Sequence, residues 1–254
     1  MSSLDSISTP PGDVPRRTLL YGVQGIGKST WASKWPGPVF VPTEDGLSNI
    51  DCRAFPLAKR MTDVQGYILD LGGEEHPYKT VVLDSADWFE KLIWQSVCRE
   101  HSKESIADFG YGKGYALAVE KFRKCLRDLD QCRTRGMHIV VIAHCAIVRF
   151  ESPEGESYDR YQPRLHRECA ALIQEWADEV LFANYQTFTR KTDEGFGRER
   201  NIAVGDAKRI LYTQEKPAYL AKSRLPLPPE MSFDFSEYEK FLQISKPKKE
   251  TVKK

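Results

Sequence analysis

The stretch YGVQGIGKST, residues 21–30, contains the pattern Gly-x-x-x-x-Gly-Lys-Ser, which begins at Gly22 and ends at Ser29. This pattern is typical of a phosphate-binding loop, because glycines let the backbone N–H groups point inward at phosphate oxygens. The apolar run at 17–22 predicts a buried strand before the loop. A short helix is expected from about Lys28, ending at Pro36. The strand–loop–helix order is the context that such a loop requires.

The residues of the loop have expected roles toward ATP and Mg²⁺. Lys28 can reach the β- and γ-phosphates, and the Ser29 hydroxyl can ligate Mg²⁺. Asp84 ends the buried strand TVVLD and can hold the ion through water, although a helix cap is the alternative for this aspartate. The predicted nucleotide-binding residues are Gly22, Val23, Gln24, Gly25, Ile26, Gly27, Lys28, Ser29 and Thr30.

Strand-like and helix-like segments alternate along the chain. The predicted strands are 17–22, 38–43, 80–85, 138–144 and 178–185. Helices are expected at 115–135, at 165–177 and after Asp87, whose spacing to Glu90 is that of a capping box. The segments YQTFTRK, RILYTQ and PAYLAKSR are expected as antiparallel additions at one edge. The pattern predicts an α/β protein with a mostly parallel sheet covered on both faces.

The composition describes an ordinary globular protein of 254 residues with a formal net charge of +1. Any nucleic-acid site must therefore come from local clustering of basic residues. No apolar run is long enough to cross a bilayer and no signal-peptide core is present, so a cytoplasmic location is expected. Residues 1–15 are expected to form a flexible segment, and 231–254 a C-terminal segment with a lysine-rich tail.

Four segments in order, LLYGVQGIGKST, VFVPTEDGLSNID, TVVLDS and HIVVIAH, resemble the core of RecA-like P-loop ATPases. The resemblance covers roughly residues 16–230, which are interpreted as one ATPase domain. It implies a three-layer RecA-like P-loop NTPase core with antiparallel C-terminal strands. It also implies ATP and Mg²⁺ as cofactors.

Ser85 follows Asp84, where many ATP-hydrolysing enzymes have a catalytic glutamate. Members of the RecA-like family usually carry this glutamate at the end of the strand after the phosphate-loop helix. The matching residue is Glu44, with Asp45 as the fallback. A strand next to the phosphate-loop strand would deliver Glu44 beside the γ-phosphate, where it could position a water. The alternative is a solvated turn.

The resemblance implies two further catalytic roles. His144 stands where the family has a polar sensor of the γ-phosphate, and RecA itself has a glutamine there. With a histidine at this position, the chain resembles small phage-encoded RecA-like ATPases implicated in recombination and single-strand annealing. Lys222 and Arg224 match a pair that reaches the ATP of a neighbouring subunit, which implies a homo-oligomeric ring or filament. The alternative for His144 is a capped histidine at a strand end. The alternative for Lys222 and Arg224 is a solvated basic strand end.

Residues 147–167 follow the expected sensor, where RecA-like proteins carry DNA-contacting loops. Arg149, Arg160 and Arg164 could contact phosphates, and Tyr161 could stack on an unpaired base. A β-hairpin over the active site is the alternative for this segment.

The function predicted from the sequence is an ATP- and Mg²⁺-dependent, DNA-stimulated ATPase. It would act on single-stranded DNA in phage-type recombination or replication, inside the bacterial host cytoplasm. Single-stranded DNA, further copies of the chain and a single-strand DNA-binding protein are the expected partners, without a membrane. The alternatives are a small-molecule kinase and a non-hydrolysing ATP-binding module that holds a protein interface together.

Overall fold

The computed structural model describes residues 14–153, 155–193 and 199–244, together with residue 4. The side chains at 187–207 and 243–244 are not among the described ones. Most of the predicted flexible segment 1–15 and the predicted lysine-rich tail at 245–254 lie outside the described residues.

The described residues form nine strands and six α-helices. The strands are β1 Arg17–Gly22, β2 Pro38–Pro42, β3 Arg53–Ala54, β4 Thr80–Asp84, β5 His138–Phe150, β6 Tyr158–Pro163, β7 Glu179–Asp193, β8 Glu199–Tyr212 and β9 Glu230–Ser232. The helices are α1 Lys28–Ala32, α2 Met61–Gly73, α3 Ala86–Glu100, α4 Lys113–Thr134, α5 Arg167–Trp176 and α6 Phe235–Ile244. None of the helices within the described residues is both long and apolar enough to span a membrane.

The strands form one sheet in the order β3-β2-β4-β5-β1-β7-β8-β9, and β6 pairs with β5 outside this path. The six neighbouring strands β3, β2, β4, β5, β1 and β7 pair in parallel, whereas β8, β9 and β6 are antiparallel to their neighbours. The predicted α/β fold class is confirmed. One expectation is wrong: β2 is not next to β1, because β4 and β5 lie between them.

Side chains of the parallel strands alternate between two apolar layers, as the pleat of a sheet requires. Leu19, Val81 and Val141 face the layer covered by α2, α3, α4 and α5. Leu20 and Val140 face the opposite layer, which α1 and α6 cover. The parallel strands are therefore buried on both faces, in a three-layer arrangement.

Local details differ from the sequence predictions at α3 and β5. The N-cap of α3 is Ser85, and neither Asp87 nor Glu90 acts in a capping box; both side chains are buried and bind residues of other elements. β5 continues beyond His144 and forms an antiparallel hairpin with β6. The hairpin alternative for 147–167 is thus the one that the structure has.

The C-terminal residues pack more closely onto the core than the sequence suggested. In PAYLAKSR only isolated bridges occur, such as the one between Val180 and Lys222. Beyond it, the ring of Trp31 in α1 lies 5.2 Å from that of Phe235 and 5.0 Å from that of Tyr238. This aromatic cluster fixes α6 against the helix that follows the phosphate-binding loop.

A buried carboxylate on β7 makes the stability of this fold depend on pH. Glu179 pairs in register with Thr18 of β1, and its Oε2 atom accepts hydrogen bonds from the Thr18 and Tyr238 hydroxyls. Burial raises the pKa of Glu179 from 4.5 to about 7. Between these values the folded chain holds a proton that the unfolded chain releases, so the free energy of unfolding falls as the pH rises.

We expect Glu179→Gln to remove this part of the pH dependence, which is at most about 3 kcal/mol. Urea unfolding of both proteins at pH 5 and pH 8 measures it. The wild type should lose more stability than the variant between the two pH values. An equal loss in both proteins would show that Glu179 does not titrate in this way.

Candidate nucleotide site

The phosphate-binding loop begins where β1 ends, between the neighbouring strands β5 and β7. Gly22 pairs with His144 on one side and with Ala183 on the other. A Cβ atom at Gly22 would lie 2.2 Å from the carbonyl oxygen of Ala183, so a side chain there would disrupt the sheet. Gly27 has a φ of 102° at the N-cap of α1, a backbone conformation that favours glycine. The first and last glycines of the motif are therefore required for different reasons.

Lys28 lies inside the loop and is 6% exposed. Its Nζ atom donates to the carbonyl oxygens of Gly22 and Val23, both at 3.1 Å. Burial lowers the pKa of Lys28, although the carboxylate of Asp84 acts in the opposite direction. An ammonium group held among carbonyl oxygens at the centre of the loop can turn to a phosphate with little movement of the backbone.

Ser29 and Asp84 are directly hydrogen-bonded, since the Ser29 hydroxyl donates to Oδ2 of Asp84 over 2.6 Å. Burial raises the pKa of Asp84 to about 6, the neighbouring Glu44 adds to the rise, and Ser29 and Lys28 oppose it. A hydroxyl beside a carboxylate fits Mg²⁺, which prefers oxygen ligands. Within the described residues, no group of three His, Cys, Asp or Glu side chains could hold a metal ion. Further ligands would therefore have to come from phosphates and water.

Glu44 lies at this site because the preceding residue, Thr43, is hydrogen-bonded to the end of β4, although two strands separate β2 from β1. The Thr43 N–H donates to the Asp84 carbonyl over 2.7 Å. Its hydroxyl donates to the Ser85 carbonyl over 2.7 Å and accepts from the Ser85 N–H over 2.9 Å. Glu44 follows directly, with Oε1 3.8 Å from Nδ1 of His144. Thr43, which the sequence analysis did not single out, therefore fixes the position of Glu44.

A cavity of about 320 Å³ unites the predicted residues at this edge of the sheet. The loop side of its lining includes Gly25, Lys28, Ser29 and Thr30, and the opposite side includes Glu44, Asp45, Asp84 and His144. The structure thus brings together the predicted phosphate, metal and water-activating residues. Asp45, the fallback for Glu44, lines the same cavity but is exposed.

His144 connects this cavity to a buried carboxylate on α3. Asp87 accepts hydrogen bonds from the backbone N–H of His144 at 3.0 Å and from Nη2 of Arg164 at 2.6 Å. The Nδ1 atom of His144 lies 3.1 Å from Oδ2 of Asp87. Burial favours the neutral form of Asp87, but the hydrogen bonds from His144 and Arg164 outweigh it and hold its pKa well below the usual range. Asp87 is thus an anion between the sensor position and the β5–β6 hairpin.

Comparison with known proteins agrees with this geometry. The profile of the AAA domain family matches residues 14–225, which include β1–β8 and the whole cavity. The chain belongs to this family. The predicted membership of a P-loop ATPase family is thereby confirmed, and the AAA domain implies nucleotide binding and ATPase activity.

The chain is also similar to the SPbeta prophage-derived uncharacterized protein YorG of Bacillus subtilis (strain 168). The two are 23% identical over 209 residues, which are 81% of this chain and 58% of that protein. The chain therefore matches little more than half of the length of this relative.

A second cavity of about 400 Å³ adjoins the loop of the AAA domain on the side of α1 and α6. Lys208 and Arg209 of β8 line it, together with Asp234. The Nη1 atom of Arg209 donates to the Ile26 carbonyl over 3.2 Å, which places this cation on the loop itself. Arg209 is not predictable from the sequence, because no local pattern shows that β8 returns to the loop.

Lys222 and Arg224 lie at the other end of the AAA domain. Arg224 binds Asp178 over 2.9 Å, and Asp178 accepts from the backbone N–H of Arg17, the first residue of β1. Six residues of strand separate this point from the loop, a distance of roughly 17 Å. The pair therefore does not reach the nucleotide site of its own subunit.

The residues predicted to contact DNA are mostly engaged within the hairpin region. Arg160 is 7% exposed, binds Glu215 and lies over the ring of Phe150, so it is not available to a nucleic acid. Tyr161 is half-buried and stacks on a ring of the core. Arg149 is exposed and lies 3.6 Å from Asp159. Of the four predicted residues, Arg164 combines exposure with a link to the nucleotide site.

The Thr43 hydroxyl provides a test of how Glu44 is positioned. We expect Thr43→Val to lower the free energy of unfolding by on the order of 1–3 kcal/mol, because the buried N–H of Ser85 loses its partner and the Ser85 carbonyl keeps only the N–H of Phe89. ATP turnover should fall as Glu44 shifts. Thr43→Ser keeps the hydroxyl and serves as the control. Urea unfolding and ATPase rates measure both effects, and wild-type stability of Thr43→Val would contradict this role.

Proposed function

We propose that this chain is a Mg²⁺- and ATP-dependent ATPase that acts on single-stranded DNA in phage-type recombination or replication. The observation that carries the ATPase part is the convergence of Lys28, Ser29, Asp84, Glu44 and His144 on one cavity. This set supplies a phosphate-binding cation, two oxygen ligands for an ion, a carboxylate for water and a polar sensor. A binding module would not need the last two groups.

The phosphates would bind to the loop N–H groups and to Lys28, which stabilise negative charge on the transferred group. Ser29 would hold Mg²⁺ directly, and Asp84 would hold it through water. When bound, the ion neutralises part of the charge on the phosphate oxygens. A cation next to Asp84 also favours its charged form, against the burial that raises its pKa.

Glu44 would orient the attacking water and accept its proton. The hydrogen bonds of Thr43 fix the backbone directly before Glu44, and Oε1 of Glu44 lies 3.8 Å from Nδ1 of His144. A positioned general base contributes about 100-fold to 10,000-fold to the rate of such a step.

The DNA part of the proposal rests on the connection from His144 to the hairpin. His144 contacts Glu44 on one side and Asp87 on the other, and Asp87 binds Arg164 beyond the end of β6. A change at the γ-phosphate would therefore act on an exposed arginine through three contacts. The similarity to the prophage-derived protein YorG supports a phage setting, in which a host single-strand DNA-binding protein would be a further partner.

Glu44→Gln tests the catalytic assignment. We expect ATP hydrolysis to fall on the order of 100-fold or more, because the amide cannot accept the proton of water. ATP binding should remain, since Glu44 is outside the phosphate loop. Turnover with and without single-stranded DNA, together with binding of a fluorescent ATP analogue, measures both quantities.

The matched variant is Asp45→Asn, which changes the neighbouring carboxylate in the same cavity. If only Asp45→Asn abolishes turnover, the catalytic carboxylate is Asp45 and not Glu44. Turnover that requires a small acceptor in the wild type would instead indicate a kinase. Tight ATP binding without any turnover would indicate a module that holds an interface together.

We also propose that the active form is a homo-oligomer in which Arg224 reaches the nucleotide of the next subunit. Arg224 is 61% exposed in its side chain and lies far from its own loop, which suits a role toward a neighbour. Asp178 keeps two other cations, Arg17 and Arg133, so the loss of Arg224 should not unfold the chain. Lys222 lies beside it and would support the same contact.

Mixing two inactive variants tests this arrangement. Arg224→Ala and Glu44→Gln subunits should each be inactive alone. In a 1:1 mixture about a quarter of the interfaces would combine an intact Glu44 with an intact Arg224 from the neighbour, so ATPase activity should return. Arg224→Lys retains the charge and is the control. No recovery in mixed oligomers, verified by light scattering, would contradict action across an interface.

A further inference from the structure

A basic cavity of about 860 Å³ lies along α3, away from the phosphate-binding loop. It is bounded by the residues before α2, by α3 and by the connection from α3 to α4. Five cations line it: Lys59, Arg60, Lys91, Arg99 and Lys103. Glu104 is the one carboxylate in its lining. The function proposed above does not use any of these side chains.

The cations of this cavity are not neutralised by the protein. All five are exposed, and within the described part of the chain none of them lies within salt-bridge distance of a carboxylate. The ammonium group of Lys91 instead lies 3.9 Å from the centre of the Trp88 ring. Five cations beside the single carboxylate Glu104 give the cavity a positive potential, which favours an anionic ligand.

A neighbouring cavity of about 550 Å³ continues this basic cavity toward the β5–β6 hairpin. Both cavities include Lys91 and Trp94 in their lining, and the 550 Å³ cavity adds Arg164 and Arg167. We call the two together the α3 groove. It carries seven cations, whereas the net charge of the whole chain is only +1.

Of the two carboxylates in the 550 Å³ cavity, Asp87 pairs with Arg164, and no carboxylate of the described residues pairs with the other six cations of the groove. Asp87 and Glu90 are both buried. Asp87 binds His144 and Arg164, and Glu90 accepts from the backbone N–H of His166 over 3.0 Å. An extended open groove with surplus positive charge fits a polyanion better than a small anion.

Aromatic rings form a row along the same groove. Trp94 meets Tyr115 edge-on at 5.6 Å, and Tyr115 stacks on the ring of His166 at 4.5 Å. All three side chains are partly exposed, and each lines one or both cavities. Rings beside cations are the combination that binds single strands, because unpaired bases stack on the rings while phosphates contact the cations. Duplex bases would not be accessible to them.

We propose that the α3 groove is the binding site for single-stranded DNA, with Lys91, Arg99 and Lys103 on its phosphates and Trp94 against a base. This inference rests on the proposed function and gives it a location other than the hairpin side chains Arg149 and Arg160. The groove is joined to the nucleotide site, since Arg164 in its wall binds Asp87, which in turn binds His144. ATP turnover and DNA affinity are coupled through this contact.

Fluorescence anisotropy with a labelled oligothymidylate of about 20 nucleotides tests the site. The triple variant Lys91→Glu, Arg99→Glu, Lys103→Glu should bind on the order of 10- to 100-fold more weakly, and its salt dependence should lose a slope of about 2. Trp94→Ala should bind about fivefold to 150-fold more weakly, whereas Trp94→Phe retains most of the affinity. The matched control is Lys124→Glu with Arg127→Glu, which reverses two exposed cations of α4.

The outcomes separate the groove from the proposed function. If the wild type binds the oligonucleotide and the triple variant binds it equally well with the same salt slope, the groove is not the site, although DNA binding stands. If the wild type binds no DNA with or without ATP, both proposals fail in their DNA part. Tighter binding of oligouridylate than of oligothymidylate would overturn DNA as the ligand. The thermal midpoint and its increase with MgATP verify that each variant is folded.

Discussion

The hydrogen bond from Ser29 to the buried Asp84 joins the phosphate-binding loop to the centre of the sheet, and the nucleotide site depends on it. Burial acts on the two buried ionisable groups beside the loop: it raises the pKa of Asp84 and lowers that of Lys28. Burial thus disfavours the charged form of each group, because charge inside a protein is unfavourable without a partner. A bound phosphate with a cation would supply partners for both groups, so nucleotide binding would also stabilise the fold.

The order of the strands explains why the residues that line the cavity come from separate parts of the chain. β4 and β5 lie between β2 and the loop, so Glu44 reaches the cavity across the end of β4 and not from beside β1. The bonds of Thr43 to Asp84 and Ser85 hold the two strand ends together at this point. Ser85, in the place where other ATPases have a glutamate, supplies the backbone groups that Thr43 binds. The Ser85 main chain thus helps to position the backbone before Glu44, whereas the Ser85 side chain carries no carboxylate.

Much of the fold was predictable from the sequence, because the evidence for it is local. The apolar strands and the glycine pattern at 22–29 identify the loop, and an aspartate ending a buried strand identifies Asp84. Strand order is not local, and a sequence pattern does not show which strands become neighbours; β2 was therefore placed beside β1. The spacing of Asp87 and Glu90 fits a cap, but their tertiary partners, His144 and His166, decide the position of both side chains.

The nucleic-acid surface predicted at 147–167 stays a prediction, although one of its four residues is buried. Within this continuous segment Arg160 is paired with Glu215, which is far away in sequence and which no local pattern identifies as its partner. The five cations of the 860 Å³ cavity lie on three separate stretches of chain, which the packing of α3 beside α2 and α4 brings together. A net charge near zero conceals such a surface, since it averages over the whole chain. Arg164 belongs to both descriptions, and its bond to Asp87 requires that any ligand drawing it outward leaves a buried carboxylate with only His144 as partner. Binding at the groove and the state of His144 are for that reason energetically linked.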